Sequence, residues 1–445
     1  MQLTEQQVLA LAPDSGSAGN GKKLAQAKNW PTLGRSTRAL WGECQGSGSK
    51  PYQVRVDLAD YASKCSCPSF KFPCKHAIGL LVLTANQPGL VQENGEPEWV
   101  GDWLDKRGET AAKKEAKAAA KAEAPVDEAA QQKRAAKRNE RVGDGLAALQ
   151  LWLEDQMRNG LARLPAEGPG LFEQQAARLV DAQAATLAGR VRALADLPGG
   201  PADWPQQLLS ELGRLALTIR AFERIDSLPP ELQHSLRAAV GFTVKEEDVL
   251  AAATPQRDEW LVIGQALDED ERVRVQRSWL QGRHSGQIAL LLQFAVGTQP
   301  FAQRWLPGSS FAAELAFWPG ALPQRAMLKG TAEPAAAPTA FTHRHSIDSL
   351  LQHAAQALAS QPWLERVALV LADLVPVHQN ERWYAVQPDG QALPLAAGDY
   401  WHWLAMGGGV PRDTAVEWDG HTLRPLGWFA DGRYYPLGEQ ATWNN

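Results

Sequence analysis

The stretch KCSCPSFKFPCKHAIGLLVL, residues 64–83, holds three of the chain's four cysteines and a histidine in the order Cys65-x-Cys67, six residues, Cys74-x-His76. Zinc takes four ligands in a tetrahedron, and three cysteines with one histidine make a common closed set. Residues i and i+2 of a strand point the same way, so Cys65 and Cys67 are able to face one ion. Pro68 and Pro73 restrict the intervening turn. Cys74 and His76 are expected at the start of a helix, whose partial positive charge favours thiolates. A redox pair would use Cys-x-x-Cys, which is absent here. A catalytic zinc would keep one position for water, whereas this set fills all four. One structural Zn²⁺ is the reading, with an iron–sulfur or copper centre as the alternative for the same donors.

Outward from the cluster, Ala39–Cys44 and Tyr52–Leu58 read as a β-hairpin closed by GSGSKP. In the second strand Tyr52, Val54, Val56 and Leu58 alternate with Gln53, Arg55 and Asp57, which gives one apolar face. Thr4 and Gln7 form a capping box for a short helix ending near Leu11. The Gly/Ser/Lys-rich run from Asp14 to Lys23 reads as a loop. His76 to about Ala85 reads as a short apolar helix, and Trp99, Trp103 and Leu104 share a helical face aimed back at this small unit. Cys44 falls at an apolar strand position and reads as a buried, inert thiol.

The net charge of −5 hides an asymmetry. Residues 1–105 carry ten basic and ten acidic side chains, and all ten basic ones lie between Lys22 and Lys75. Residues 106–141 carry 11 basic and six acidic residues with almost no large apolar ones, so they read as a charged Ala/Lys/Glu linker that is either a solvated helix broken at Pro125 or a semi-rigid spacer. Residues 142–445 carry 24 basic and 34 acidic residues. The basic N-terminal face therefore suits either a nucleic acid or the acidic remainder of the same chain. No apolar run approaches a membrane span, and the N-terminus lacks the pattern of a secretory signal, so a cytoplasmic protein is expected.

From residue 142 to about 245 the runs GLAALQLWLEDQM, LFEQQAARLV and WPQQLLSELGRLALTI show period 3.6 and end at proline-rich stops, which predicts a helical domain. From about 246 to 445 the texture is short and alternating, with turns at Pro388-Asp389-Gly390, Asp419-Gly420 and Asp431-Gly432. Eleven of the 17 tryptophans lie there. A β-rich domain with at least one helix is expected. The fold class is α+β multidomain: residues 1–105 with a small ββα zinc-finger module at about 39–86, the linker 106–141, the helical domain 142–245 and the β-rich domain 246–445.

The string ALWGECQGSGSKPYQVRVDL, followed by KCSCPSFKFPCKHAIGLLVL, is similar to the bacterial SWIM zinc finger family over roughly residues 35–85. The resemblance implies Cys65, Cys67, Cys74 and His76 as ligands of one zinc ion in a module that binds DNA or other proteins and has no enzymatic activity. Bacterial members stand beside MoxR-type AAA+ ATPases, which implies a chaperone-like or assembly partner.

Between the ligands, Phe70, Lys71 and Phe72 form an aromatic–basic–aromatic tip, with Lys75 alongside. Stacking on a base with a lysine on phosphate is one use of such a tip; packing of at least one phenylalanine into the module is the other. His343 and His345, with His353 and Asp348 nearby, read as a polar loop before a helix and not a second metal site. Gly407-Gly408-Gly409 is a tight turn without the Lys-Ser/Thr of a phosphate loop, and no catalytic signature is visible. The expected function is a non-enzymatic, zinc-binding protein-interaction adaptor. Nucleic-acid binding through the basic finger face is the alternative, and an enzyme housed in residues 246–445 the third.

Overall fold

The computed structural model describes residues 4–46, 50–69, 71–123, 128–200, 203–270, 273–297, 299, 301, 303, 305–336 and 338–437. Helices α1 (Glu5–Ala10) and α2 (Ser15–Leu24) precede a four-stranded antiparallel sheet, β1 (Thr32–Arg35), β2 (Ala39–Cys44), β3 (Tyr52–Asp57) and β4 (Ser63–Cys65), in that spatial order. Helix α3 (Lys75–Asn86) then covers the sheet. The expected hairpin is β2–β3, with Leu40 opposite Val56 and Gly42 opposite Val54. Its buried Val54 and Val56 meet Ile78, Leu80 and Leu81 of α3 in one core. The module is thus larger than ββα, since β1 and β4 flank the hairpin.

The run Asp14–Lys23, expected as a loop, is mostly helix α2 with Asp14 as its N-cap accepting from the Ser17 N–H. Glycine disfavours helix intrinsically, but here it permits close packing. A Cβ on Gly21 would lie 2.5 Å from Ile78 Cγ2, and one on Gly79 would lie 2.9 Å from Leu24 Cβ. The helices α2 and α3 therefore touch backbone to side chain at this crossing. Gly19 faces open space. Gly19→Ala is expected to raise stability by about 0.5–1 kcal/mol by removing unfolded-state freedom. Gly21→Ala is expected to lower it by about 1–3 kcal/mol through overpacking. Urea midpoints of the two variants moving in opposite directions check the α2–α3 contact.

Helices α4 (Glu98–Glu123) and α5 (Glu128–Asn159) occupy most of the expected linker. The borders expected at 105/106 and 141/142 fall inside these helices, because each begins or ends on a packed face. Val100 and Leu104 of α4 pack with Trp41 and Ala39. Arg107 pairs with Asp57 at 3.2 Å and Asp60 at 2.5 Å. At the other end Val142, Leu146 and Leu149 of α5 enter the next core. Pro125 lies outside the described residues.

The helical region continues with α6 (Leu164–Glu167), α7 (Gly170–Asp181), α8 (Ala185–Ala193), α9 (Trp204–Glu223) and α10 (Pro230–Val240). Their shared core includes Phe172, Leu187, Leu208, Leu215 and Leu236, and Trp363 from the C-terminal region also joins it.

After α11 (Glu246–Ala252), the β-rich part divides into two sheets. Strands β5 (Gln256–Asp270), β6 (Val273–Gly282), β7 (Ile288–Val296), β8 (Ser310–Phe317) and β9 (Arg325–Pro334) close a barrel in the order β5-β6-β7-β9-β8. Helix α12 (Ile347–Ser360) leads into β10 (Val367–Gln379), β11 (Arg382–Val386), β12 (Ala392–Pro394), helix α13 (Trp401–Gly407), β13 (Arg412–Trp418), β14 (Leu423–Ala430) and β15 (Arg433–Pro436). The second sheet runs β12-β11-β10-β13-β14-β15. The last five residues of strand β13 are all buried, so this strand shows no alternation. Leu261, Ile263 and Trp279 of the barrel pack on Val370, Ala415 and Leu426 of the sheet.

The N-terminal module docks on this C-terminal body. The Gln7 side chain donates to the Pro307 carbonyl at 2.8 Å, and Leu306 enters the module's own core. Among the described residues, no helix is long and apolar enough to cross a membrane.

Candidate metal centre

Strand β4 ends on Cys65, opposite Val54 of β3. Beyond it the chain is clipped back: the Ser66 N–H donates to the Gln53 carbonyl at 3.0 Å, and the Gln53 N–H donates to Ser66 Oγ at 2.9 Å. This holds Cys67 on the side of Cys65. Cys74 is the N-cap of α3, so His76 falls in the first turn. The ligand atoms of Cys65, Cys67, Cys74 and His76 all lie within 4.8 Å of one another. His76 Nδ1 is 3.8 Å from Cys65 Sγ and 3.9 Å from Cys74 Sγ. A tetrahedron with Zn–S near 2.3 Å and Zn–N near 2.0 Å has edges of roughly 3.6–3.8 Å, so the donor set is sized for zinc. The four residues are positioned to bind one Zn²⁺, with His76 offering Nδ1. The Tyr52 ring lies 4.8 Å from the imidazole, centroid to centroid, and backs it.

The electrostatics favour a thiolate at the helix end. A hydrogen bond from Cys65, the His76 ring and the Ala77 backbone N–H hold the Cys74 thiol well below the ordinary thiol range, against the effect of burial. Cys65, which donates to it and is partly buried, is pushed up, and burial raises Cys67. Zinc binding would displace these thiol protons. Cys44 stands apart from the cluster: it is fully buried, and burial pushes its thiol up to about 11, the inert thiol expected.

The tip residues have varied surroundings. Phe70 lies outside the described residues. Lys71 forms an ion pair with Asp14 at 2.9 Å, which ties the tip to the α2 N-cap. Phe72 is partly exposed, and Lys75 is exposed on the first turn of α3. Other members of the basic face are also engaged: Lys22 with Glu5, Arg35 with Glu93, and Arg38 with Glu96 and Asp105. The acidic partners come from the module itself and from α4, which the linear charge count does not reveal.

His343 Nε2 meets the Arg283 carbonyl at 3.2 Å. Among the described residues, the cysteine–histidine cluster is the one group of three or more ligand side chains found to converge. Gly408 and Gly409 take positive φ at the end of α13, as the expected turn requires.

Residues 52–83 match the family model of the SWIM zinc finger, and residues 137–240 match that of the SWIM-associated four-helix bundle domain. No curated protein and no solved structure matches the chain. Motif, geometry and both family models agree: the chain carries a SWIM zinc finger followed by the SWIM-associated helix bundle.

Proposed function

We propose that this is a non-enzymatic binding protein in which zinc builds a scaffold and a protein is the partner. The supporting observation is the metal centre itself: four protein side chains fill the tetrahedron and leave no position for substrate or water. Its place in the fold agrees, since the finger is packed on a larger body and four of the ten cations of its basic stretch, Lys22, Arg35, Arg38 and Lys71, are paired within the chain. That body presents an apolar surface around α13. Trp401 is 55% exposed and Val410 51%, and the Trp401 ring leans on His378 and Trp383. An exposed tryptophan backed by packed rings is the kind of residue that anchors protein interfaces. A MoxR-type AAA+ ATPase is the partner class that the family resemblance supplies. Sedimentation of the zinc-loaded protein with a purified MoxR-type ATPase from its host tests the reading. A co-sedimenting complex lost in Trp401→Ala supports it; independent sedimentation at micromolar concentrations removes this partner.

A further inference from the structure

The β-barrel leaves a strand edge unused. Its closure from β7 to β9 is parallel and rests on two pairs only, Leu290 with Arg325 and Leu291 with Ala326. Beyond them β9 bulges: Gly330, at φ +76°, Thr331 and Ala332 stand against the single Ala313 of β8. A bulge bends its strand, and β9 turns away from β7. On β7 the Leu290 N–H donates to the Gln324 carbonyl at 2.7 Å. Backbone groups alternate sides along a strand, so the N–H and C=O of Leu292 and Phe294 face the same way. Among the described residues they meet no backbone partner there. A cleft of about 1210 Å³ lies in front of them, closed on its far side by α4 and the β3–β4 corner of the zinc module.

We propose that this cleft takes an extended segment of a protein partner, which adds to β7 as a further strand. The free edge supplies main-chain hydrogen bonds for such an addition. The outward row of β7, Leu292, Phe294 and Val296, is apolar, with Phe294 57% and Val296 54% exposed. It suits a neighbouring strand with apolar residues at alternate positions. On the inward row a separate observation points to a ligand. Gln293 is 9% exposed and Trp305 1%, and both line the cleft. Gln293 Oε1 and Trp305 Nε1 have no hydrogen-bond partner among the described residues. Gln293 Nε2 meets Gln303 Oε1 at 3.4 Å, which leaves Oε1 as a lone acceptor. A lone acceptor and a lone N–H donor suit an amide or hydroxyl side chain, which both gives and takes hydrogen bonds. The walls carry five Lys or Arg and five Asp or Glu side chains. A polyanion gains nothing from that balance, whereas an uncharged peptide needs no field to enter. The volume also exceeds the roughly 300–1,000 Å³ of pockets that enclose single small molecules. Because α4 and the zinc module wall the edge in, a folded second copy is barred from laying its own strand alongside, and a lone chain is admitted. The inference rests on the reading of a protein partner but uses another surface, since Trp401 does not line the cleft.

A peptide array tests it on the full-length zinc-loaded protein. Its members are about nine residues long, with Val, Ile or Leu at alternate positions and Ser, Thr, Asn or Gln between them. The labelled protein is expected to bind a subset of them and to ignore versions with proline at alternate positions, since proline has no N–H to donate. Anisotropy titrations then use the tightest binder. N-methylation of one of its two alternate sets of amides should weaken binding about tenfold while every side chain is kept. Phe294→Ala should also weaken it about tenfold. Leu217→Lys, at an exposed position on α9, should leave it unchanged. Both substitutions are at exposed positions, and circular dichroism confirms that the variants fold. The proposal is overturned if no member binds above its proline control, if both N-methylated peptides bind as the parent peptide does, or if the Phe294→Ala protein binds as the parent protein does. It is also overturned if the protein alone forms a dimer that Phe294→Ala dissociates, which would assign the edge to a second copy. No ATPase is present in these measurements, so their failure leaves the sedimentation result with the MoxR-type ATPase standing, and the reverse holds as well.

Discussion

Cys74→Ser is expected to unfold the zinc module while the helix bundle stays intact. Cys74 does three things at once: it caps α3, supplies one of four ligands, and is the thiolate toward which Cys65 donates. Structural zinc contributes about 10–16 kcal/mol of apparent folding free energy in small fingers, and a serine hydroxyl is a poor substitute for a thiolate. The module's own core, built on Leu40, Val54, Val56, Ile78 and Leu80, is too small to offset a loss of that order. The bundle has its own core from Val142 to Val240. Hydrogen exchange should therefore show lost protection in β2, β3 and α3 and retained protection in α7 and α9. A chelator should reproduce the pattern, and Cys44→Ser should not. Native protection of α3 in the Cys74→Ser protein would show that the metal does not hold the module together.

The second large effect is expected at the joint between barrel and sheet. Glu417, whose side chain is 3% exposed, accepts from Arg277 Nε and a terminal guanidinium nitrogen, each at 3.1 Å, and from Trp279 Nε1 at 2.7 Å. Arg366 approaches at 3.5 Å. Glu417→Ala leaves the buried Arg277 guanidinium with Asp268 as its remaining carboxylate partner and strands the buried Trp279 indole N–H, a loss of about 3 kcal/mol. Arg277→Met with Glu417→Leu should recover most of it, because the desolvation of both charges disappears together. The pH dependence has a definite sign. Burial alone would raise the Glu417 carboxyl, but the charges of Arg277 and Arg366 and the hydrogen bonds from Arg277 and Trp279 hold it below the usual range. A carboxyl depressed in the native state stabilises fully above its unfolded value, near 4.3, and loses that contribution as pH falls through its native value. The stability difference between the parent and the double variant should therefore shrink below about pH 4. Taking the difference cancels acid release of zinc, which both proteins share. An Arg277→Met/Glu417→Leu protein with an unchanged acid limb would exclude Glu417 as the titrating group.

Legibility followed the range of the interactions. The ligand quartet was visible because Cys65, Cys67, Cys74 and His76 fall within 12 residues, and the period-two strand beside them announced the hairpin. The stripes of α7, α9 and α10 were equally local. Helix α2 was hidden because its glycines read as a loop until Ile78 of α3 is placed against Gly21. The linker concealed two packed ends, since Arg107 finds Asp57 and Asp60 only through the fold. The barrel could not be separated from the sheet in the sequence, where both appear as the same succession of short strands.

By itself, the sequence determined a closed Cys₃His centre, a following helical region and a β-rich end, because donor spacing and side-chain periodicity are local properties of the chain. Only the tertiary structure decided which imidazole nitrogen faces the sulfurs, which cations of the basic face are already neutralised, and that β7 and β9 part to leave a cleft beside the zinc module. Those facts depend on contacts between residues tens to hundreds of positions apart, and such contacts leave no periodic trace along the chain.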